Sequence, residues 1–269
     1  MSKSSWDGLA LVDRYLSGIE ISTDDVHYGP LAAGEKELQL LDSVAGQRIL
    51  EVGCGRAENC IALAKQGAIC TGIDLSDKMI SRAEDLAREN GVEIRLMTMD
   101  ARDLFLLPSG HYDIVISSYA LGFTGDIKSC LLTINRCLKK NGQLVFCIGH
   151  PAQIMVFRKK KTLLLPERQL KGWRENYFTL NQMMIYLAEA GFLVERLVEQ
   201  VTRNPSQLKE EEKVGFPYCL TVTLDPQYDQ FTNQPHTVIY CCRKLDQAKQ
   251  PQYRLILLAK TIKGIRKDK

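Results

Sequence analysis

Residues 49–76 read ILEVGCGRAENCIALAKQGAICTGIDLS. An apolar run carrying Glu51 and Val52 meets two glycines, Gly53 and Gly55, and then an amphipathic stretch. That is a strand, a tight turn and a helix. The glycines let the backbone turn sharply and bring its N–H groups against a ligand at the strand's C-terminal end, the edge at which doubly wound sheets bind ligands. A second apolar run closes on Asp74, nineteen residues past Gly55, in position for a carboxylate to take two ribose hydroxyls. A nucleoside ligand follows.

The rest of the chain extends this unit. Strand candidates at 48–52, 69–74, 94–100, 113–118 and 143–149 are near-continuous apolar runs, as strands covered on both faces should be. A helix at 76–90 puts Met79, Ile80, Ala83, Leu86 and Ala87 on one face and ends before Gly91. A second, at 126–140, aligns Cys130, Leu131, Ile134 and Leu138 and stops at Asn141-Gly142. Thr179 and Gln182 form a capping box for a helix closing at Gly191, with strands at 192–198 and 237–243 after it. The order predicts an α/β fold, a doubly wound, Rossmann-like sheet with right-handed crossovers.

The details of the turn choose the nucleoside. A dinucleotide fold places a third glycine where this chain has Glu58, whose charge would repel a phosphate at the helix N-terminus. Glu51, two residues before the first glycine, suits a ligand with an ammonium group and no phosphates. With Asp74 and an acid, Asp100, ending the third strand, the pattern points to S-adenosyl-L-methionine (SAM).

This stretch resembles the nucleotide-binding half of class I SAM-dependent methyltransferases of the small-molecule type. The similarity continues through Asp100-Ala101, 113–121, LKKNG, His150-Pro151 and LAEAGFLVERL, about 34–244 in all. The resemblance implies seven strands with the last antiparallel. It implies Glu51 and the Gly53-Cys54-Gly55 backbone at the methionine part, Asp74 at the ribose, and Leu75 and Met79 flanking the adenine. Asp100 with Ala101 would meet the adenine amino edge, and Ser117 with Ser118 would sit beside the sulfonium. Enzymes acting on DNA-base amino groups carry Asn/Asp-Pro-Pro-Tyr after the fourth strand; Ser117-Ser118-Tyr119-Ala120 stands here instead, which disfavours such substrates.

Composition sets the outer bounds. The charge, 35 Lys and Arg against 32 Asp and Glu, is only +3, too small to argue for nucleic acid as the main partner. No apolar run approaches the ~18 residues of a membrane span, and the N-terminus lacks a signal-peptide core. Nine cysteines, an odd count without a Cys-x-x-Cys pair, read as reduced packing thiols in a cytoplasmic chain rather than disulfides or metal ligands.

The expected activity is methyl transfer to O, N or C of a small organic acceptor, a specialised metabolite or its intermediate, without a metal. S-adenosyl-L-homocysteine would be the product. Of four histidines, His150 and His27 are the candidates for a base or substrate contact, while His111 and His236 read as structural. Tyr15, Tyr28 and Tyr119 are candidate acceptor walls. The organisation expected is a lid segment (1–33), the methyltransferase domain (34–245) with insertions at 151–177 and 202–235, and a basic tail (246–269). Lid and first insertion should close over the acceptor, with His27 or Tyr28 opposite His150. The competing readings are a non-catalytic SAM-binding subunit and a nicotinamide-dependent oxidoreductase, the latter opposed by Glu58.

Overall fold

Strands and helices follow one another as α1 (Glu35–Leu38), β1 (Arg48–Val52), α2 (Glu58–Lys65), β2 (Ile69–Asp74), α3 (Asp77–Glu89), β3 (Arg95–Thr98), β4 (Tyr112–Ser118), α4 (Ile127–Cys137), β5 (Leu138–Gly149), α5 (Leu180–Glu189), β6 (Phe192–Val201) and β7 (Pro235–Lys244). The computed structural model describes residues 3, 7, 21–29, 33–152, 178–201 and 235–246. Nearly all of the two insertion segments, Tyr15, most of the lid segment and nearly all of the tail lie outside them.

The seven strands form one sheet in the order β3-β2-β1-β4-β5-β7-β6. All neighbours are parallel except β7, which runs antiparallel to β5 and β6. Successive residues of each strand face opposite layers. Leu50, Val115, Leu144, Phe146 and Tyr240 pack beneath α4 and α5, with Leu131, Ile134, Met183 and Leu187. Ile49, Ile114, Val145 and Ile239 pack on the other face, with Cys60, Leu63, Ile80 and Ala83 of α2 and α3. Each fully buried Leu, Ile or Phe contributes ~1.5–3 kcal/mol, so the two apolar layers fix the sheet's register.

The starts of α3, α4 and α5 are capped by side chains. Ser76 accepts from the Met79 N–H at 3.2 Å, Asp126 from that of Ser129 at 3.1 Å and Thr179 from that of Gln182 at 3.1 Å. Each cap is worth ~1 kcal/mol. The Gln182 amide turns to the Tyr186 hydroxyl, so only one arm of the capping box forms.

Several boundaries differ from the sequence reading, two of them for a physical reason seen in the contacts. The helix expected over 126–140 ends at Cys137, and Leu138 already starts β5. Leu138 is fully buried opposite Tyr112, and Lys139 reaches Asp113 at 2.7 Å; pairing and burial override the helix propensity of the lysines. The register then slips between Tyr112 and Ile114, and Asn141 turns the chain with φ 59°. The third strand, expected to run to Asp100, stops at Thr98, and Asp100 instead caps the 3-10 turn Ala101–Leu106 by accepting from the Arg102 N–H.

The order in which the strands are added reverses between β1 and β4, where the chain leaves to opposite sides, and ligands bind outside the carboxyl ends at such a switch point. Because β7 is antiparallel, its N-terminal residues Pro235, His236 and Thr237 lie at this same edge, beside Gly149.

Candidate active site

The β1–α2 turn is built by β2. The N–H groups of Gly53 and Cys54 both donate to the Ile73 carbonyl, at 2.8 and 2.9 Å. Gly53 has φ 74°, and a Cβ there would lie 2.1 Å from the Ala120 Cβ, so only glycine fits. Gly55, at φ 55°, donates its N–H to Asp74 Oδ2 at 2.9 Å, and nothing stands within 4 Å of where its Cβ would be. Asp74 Oδ1 accepts from the Ser76 N–H at 2.9 Å. Burial raises the Asp74 carboxyl against the pull of these amides.

Glu51 lies beneath the turn, 2% exposed. Its Oε1 accepts from Asn59 Nδ2 at 3.0 Å and its Oε2 from the Cys60 N–H at 3.2 Å. Burial pushes its carboxyl up to about 8, outweighing those two neutral donors. A cation beside it would reverse that balance. Glu58, where a dinucleotide fold has glycine, is buried and paired with Arg56 at 2.7 Å. Cys54 is a buried thiol whose sulfur lies against Gly72, and burial pushes its pKa up.

The remaining expected contacts divide. Leu75 and Met79 are half-buried at the start of α3. Asp100 gives both oxygens to the Arg102 guanidinium, at 3.0–3.1 Å from Nε and 2.6 Å from Nη2, which lowers its pKa. Ala101 packs on the core. Ser117 is buried and donates to the Val52 carbonyl at 2.8 Å. Ser118 donates to the His27 carbonyl at 2.9 Å and accepts from Asn59 Nδ2 at 3.2 Å.

Asn59, which the sequence reading passed over, joins these groups. Its Oδ1 also accepts from the His27 N–H at 2.8 Å, so one amide links Glu51, Ser118 and His27. The only signal for it in the sequence is its place eight residues after Glu51, inside the turn-and-helix stretch. His27 therefore sits on the β1–β4 side and shares no hydrogen-bond partner with His150. Burial, then Arg56, lowers its ring to about 4, so it is neutral at pH 7. Tyr28 is 2% exposed in the core with its hydroxyl on Glu35. Two described residues of the lid segment reach the β2–α3 turn: Asp7 accepts from Ser76 Oγ at 2.7 Å, and Lys3 pairs with Asp77 at 3.1 Å.

A second polar group lies at the ends of β4, β5, β6 and β7. Tyr119 follows β4 with a left-handed φ of 52°, lays its ring on Gly29 and hydrogen-bonds Thr237 Oγ1. Thr237 Oγ1 also meets His236 Nδ1 at 2.6 Å. His150, 6% exposed, bonds Glu199 Oε1 through Nε2 at 2.7 Å, and its Nδ1 accepts from the Ala152 N–H at 3.1 Å. Its backbone N–H donates to the His236 carbonyl at 2.8 Å. The structure thus joins Tyr119 and His150 to His236, Thr237 and Glu199, none of which the sequence reading named as site residues.

Fold and edge together define a class I, SAM-dependent methyltransferase fold. Residues 50–146 match the family described as a methyltransferase domain. The chain is 33% identical over 109 residues to a ubiquinone biosynthesis O-methyltransferase of Methylococcus capsulatus, covering 40% of this chain and 46% of that protein. It is 32% identical over 118 residues to an aklanonic acid methyltransferase of a Streptomyces species, covering 42% of this chain and 53% of that protein. The chain spans about half the length of the curated relatives it matches. An S-adenosylmethionine-dependent methyltransferase from Mesorhizobium loti superimposes with TM-score 0.59 at 22% identity over 77% of this chain and 94% of that one. The [4+2]-cyclase SpnF does so with TM-score 0.60 at 21% identity, over 90% and 93%. That fold therefore hosts more than one reaction, and the site must carry the assignment.

Proposed function

We propose that the protein is a methyltransferase that transfers the methyl group of SAM to a small organic acceptor, a specialised metabolite or a biosynthetic intermediate of that kind. The observation that carries the reading is the buried Glu51 carboxylate, held only by neutral donors in its described contacts, next to a turn in which the Gly55 amide meets the Asp74 carboxylate and nothing stands within 4 Å of where a Gly55 Cβ would be. An ammonium fits the first and a ribose diol the second. The Arg56–Glu58 pair fills the place where a pyrophosphate would need a glycine, which argues against a nicotinamide cofactor.

Bound there, SAM would supply an activated methyl group, whose C–S electron pair returns to sulfur. Glu51 would hold the ammonium, Asp74 the diol, and Leu75 with Met79 the apolar purine faces. Ser118 and Asn59 would fix the floor beneath the reacting end. Aligning an acceptor there and excluding water can supply ~7–11 kcal/mol of the barrier. The names of the two curated relatives, both given for acceptors that are small organic molecules, support that acceptor class. Eight buried free thiols among the described residues support a reducing compartment, the cytoplasm; no helix among those residues is long and apolar enough to cross a membrane.

Titration calorimetry with SAM and with NAD, followed by mass spectrometry of a metabolite extract incubated with methyl-labelled SAM, tests the reading. SAM binding with label appearing in small molecules is expected. NAD binding in its place would overturn the cofactor, and SAM binding without transfer to any acceptor would favour the non-catalytic subunit.

A further inference from the structure

The two histidines at the β5–β7 end are not equivalent. Both ring nitrogens of His150 are engaged: Nε2 with Glu199 Oε1 at 2.7 Å and Nδ1 with the Ala152 N–H at 3.1 Å. The pattern selects one neutral tautomer, Nε2–H donating to the carboxylate and Nδ1 accepting, and leaves no ring nitrogen for an acceptor molecule. His236 is 8% exposed, and its Nδ1 is held by Thr237 Oγ1 at 2.6 Å. Its Nε2 is closed to solvent and has no hydrogen-bond partner among the described residues.

Buried polar atoms without partners are rare, and each calls for a missing group. An orphaned acceptor is also less unusual than an orphaned N–H. That favours the tautomer with Nδ1–H donating to Thr237 Oγ1 and a bare lone pair on Nε2. The described contacts complete it without conflict: Thr237 Oγ1–H can pass to the Tyr119 oxygen, and the Tyr119 hydroxyl to the His236 carbonyl at 3.5 Å. Tyr119 adopts its φ of 52°, an outlier for an aromatic residue, while its hydroxyl meets Thr237 at the switch-point end of β4. Burial, and then the neighbouring His150, lower the His236 ring to about 4, so it stays neutral at pH 7.

We propose that His236, oriented by Thr237 and Tyr119, is the acceptor-side catalytic residue, and that its Nε2 receives the hydrogen bond and then the proton of an acceptor hydroxyl. This rests on the methyltransferase reading and narrows it to O-methylation. The acceptor oxygen would form its new bond to the methyl carbon as the methyl–sulfur bond breaks and its electron pair stays on sulfur; the O–H electron pair stays on oxygen, and the proton moves to Nε2 and later to solvent. His150 with Glu199 is a positioning pair, since the His150 N–H holds the His236 carbonyl at 2.8 Å.

The test uses the full chain with 15N-labelled histidine, catechol as the hydroxyl probe and S-adenosyl-L-homocysteine to fill the cofactor site. The His236 signals, assigned with His236→Gln, should show an unprotonated Nε2 that shifts on adding catechol. A protonated Nε2, or no response to catechol, overturns the proposal. With labelled SAM, His236→Gln should lower kcat for catechol ~100-fold with SAM Kd within about twofold, and Thr237→Val about tenfold. His150→Gln should lower it less than His236→Gln does. Full turnover in His236→Gln overturns the assignment of His236 while leaving the methyltransferase reading intact. Failure of the wild-type chain to bind SAM defeats that reading instead, and the nitrogen signals distinguish the two failures.

Discussion

The two halves of the ligand edge satisfy their buried polar groups in different ways. Around β1 and β2, the carboxylates of Glu51 and Asp74 close on donors two to nineteen residues away: Asn59, Cys60, Gly55 and Ser76. Around β5, β6 and β7, the contacts span 49 residues from His150 to Glu199 and 118 from Tyr119 to Thr237, and one ring nitrogen stays open. A site closed by its own loop is preorganised as soon as that loop folds. One assembled from four strands exists only when the whole sheet does, and its open atom marks where an incoming group completes it.

The strongest way to break this contrast is to disturb the loop itself. Gly53→Ala places a Cβ 2.1 Å from the Ala120 Cβ and forces alanine to a φ of 74°. Overpacking and the left-handed backbone together should cost roughly 2–5 kcal/mol, read as a fall in the urea midpoint. A near-neutral substitution would show that the turn adapts and is not prebuilt.

Asp74→Ala comes next. It removes a carboxylate proposed to take two ribose hydroxyls and frees the Gly55 and Ser76 amides. SAM binding should weaken by ~1.5–3 kcal/mol, about 10- to 150-fold in Kd. Unchanged affinity by calorimetry would move the ribose elsewhere and leave the loop as bare scaffold.

Glu51 supplies a pH test. Its folded carboxyl titrates at about 8, far above its unfolded value, so between them the folded state binds the extra proton and stability falls as pH rises. His27 and His236 act in the opposite sense, because rings titrating at about 4 make stability rise between about 4 and the ordinary histidine range. Above ~6.5 the unfolded histidines are also neutral, and from there to about 8 the falling slope belongs to Glu51 among these three. The unliganded protein should lose ~2 kcal/mol across that interval. Glu51→Gln should remove most of the slope, measured by denaturant unfolding at several pH values. A slope that persists in the variant would assign it to other groups.

The same contrast governs what could be read from the chain. Residues 49–76 carry turn, helix start, buried acid and second-strand acid in one continuous stretch, and spacing alone places them. The sheet was legible because its central strands are near-continuous apolar runs, although the start of β5 was hidden by Lys139 and Lys140, whose helical look yields to pairing with β4. His236 was read as structural because nothing near it in sequence signals a site. Its meaning comes from Tyr119, Thr237 and an antiparallel strand that carries it to the ligand edge. His150 stood at the right edge by sequence, but the sequence does not disclose that Glu199, two strands away, occupies its ring.

The smallest effect separates a cost from a function within one strand. Tyr240, four residues after His236 on β7, also ends in a buried polar atom without a partner among the described residues. Its hydroxyl lies in the apolar layer beneath α4 and α5, its ring stacks on Phe146 at 5.0 Å and 14°, and burial lifts its pKa well above the usual tyrosine value. With no partner among the described residues, that hydroxyl carries only the desolvation penalty. Tyr240→Phe keeps the stacked ring and removes the unpaired group, and should raise stability by about 1 kcal/mol with SAM affinity and turnover unchanged. His236→Phe should also relieve an unpaired atom yet abolish transfer, because there the open valence faces the acceptor. If Tyr240→Phe instead lowers the urea midpoint, its hydroxyl has a hidden partner such as a buried water. The same solvent could then satisfy His236 Nε2, and the open atom on which the acceptor side depends would be closed.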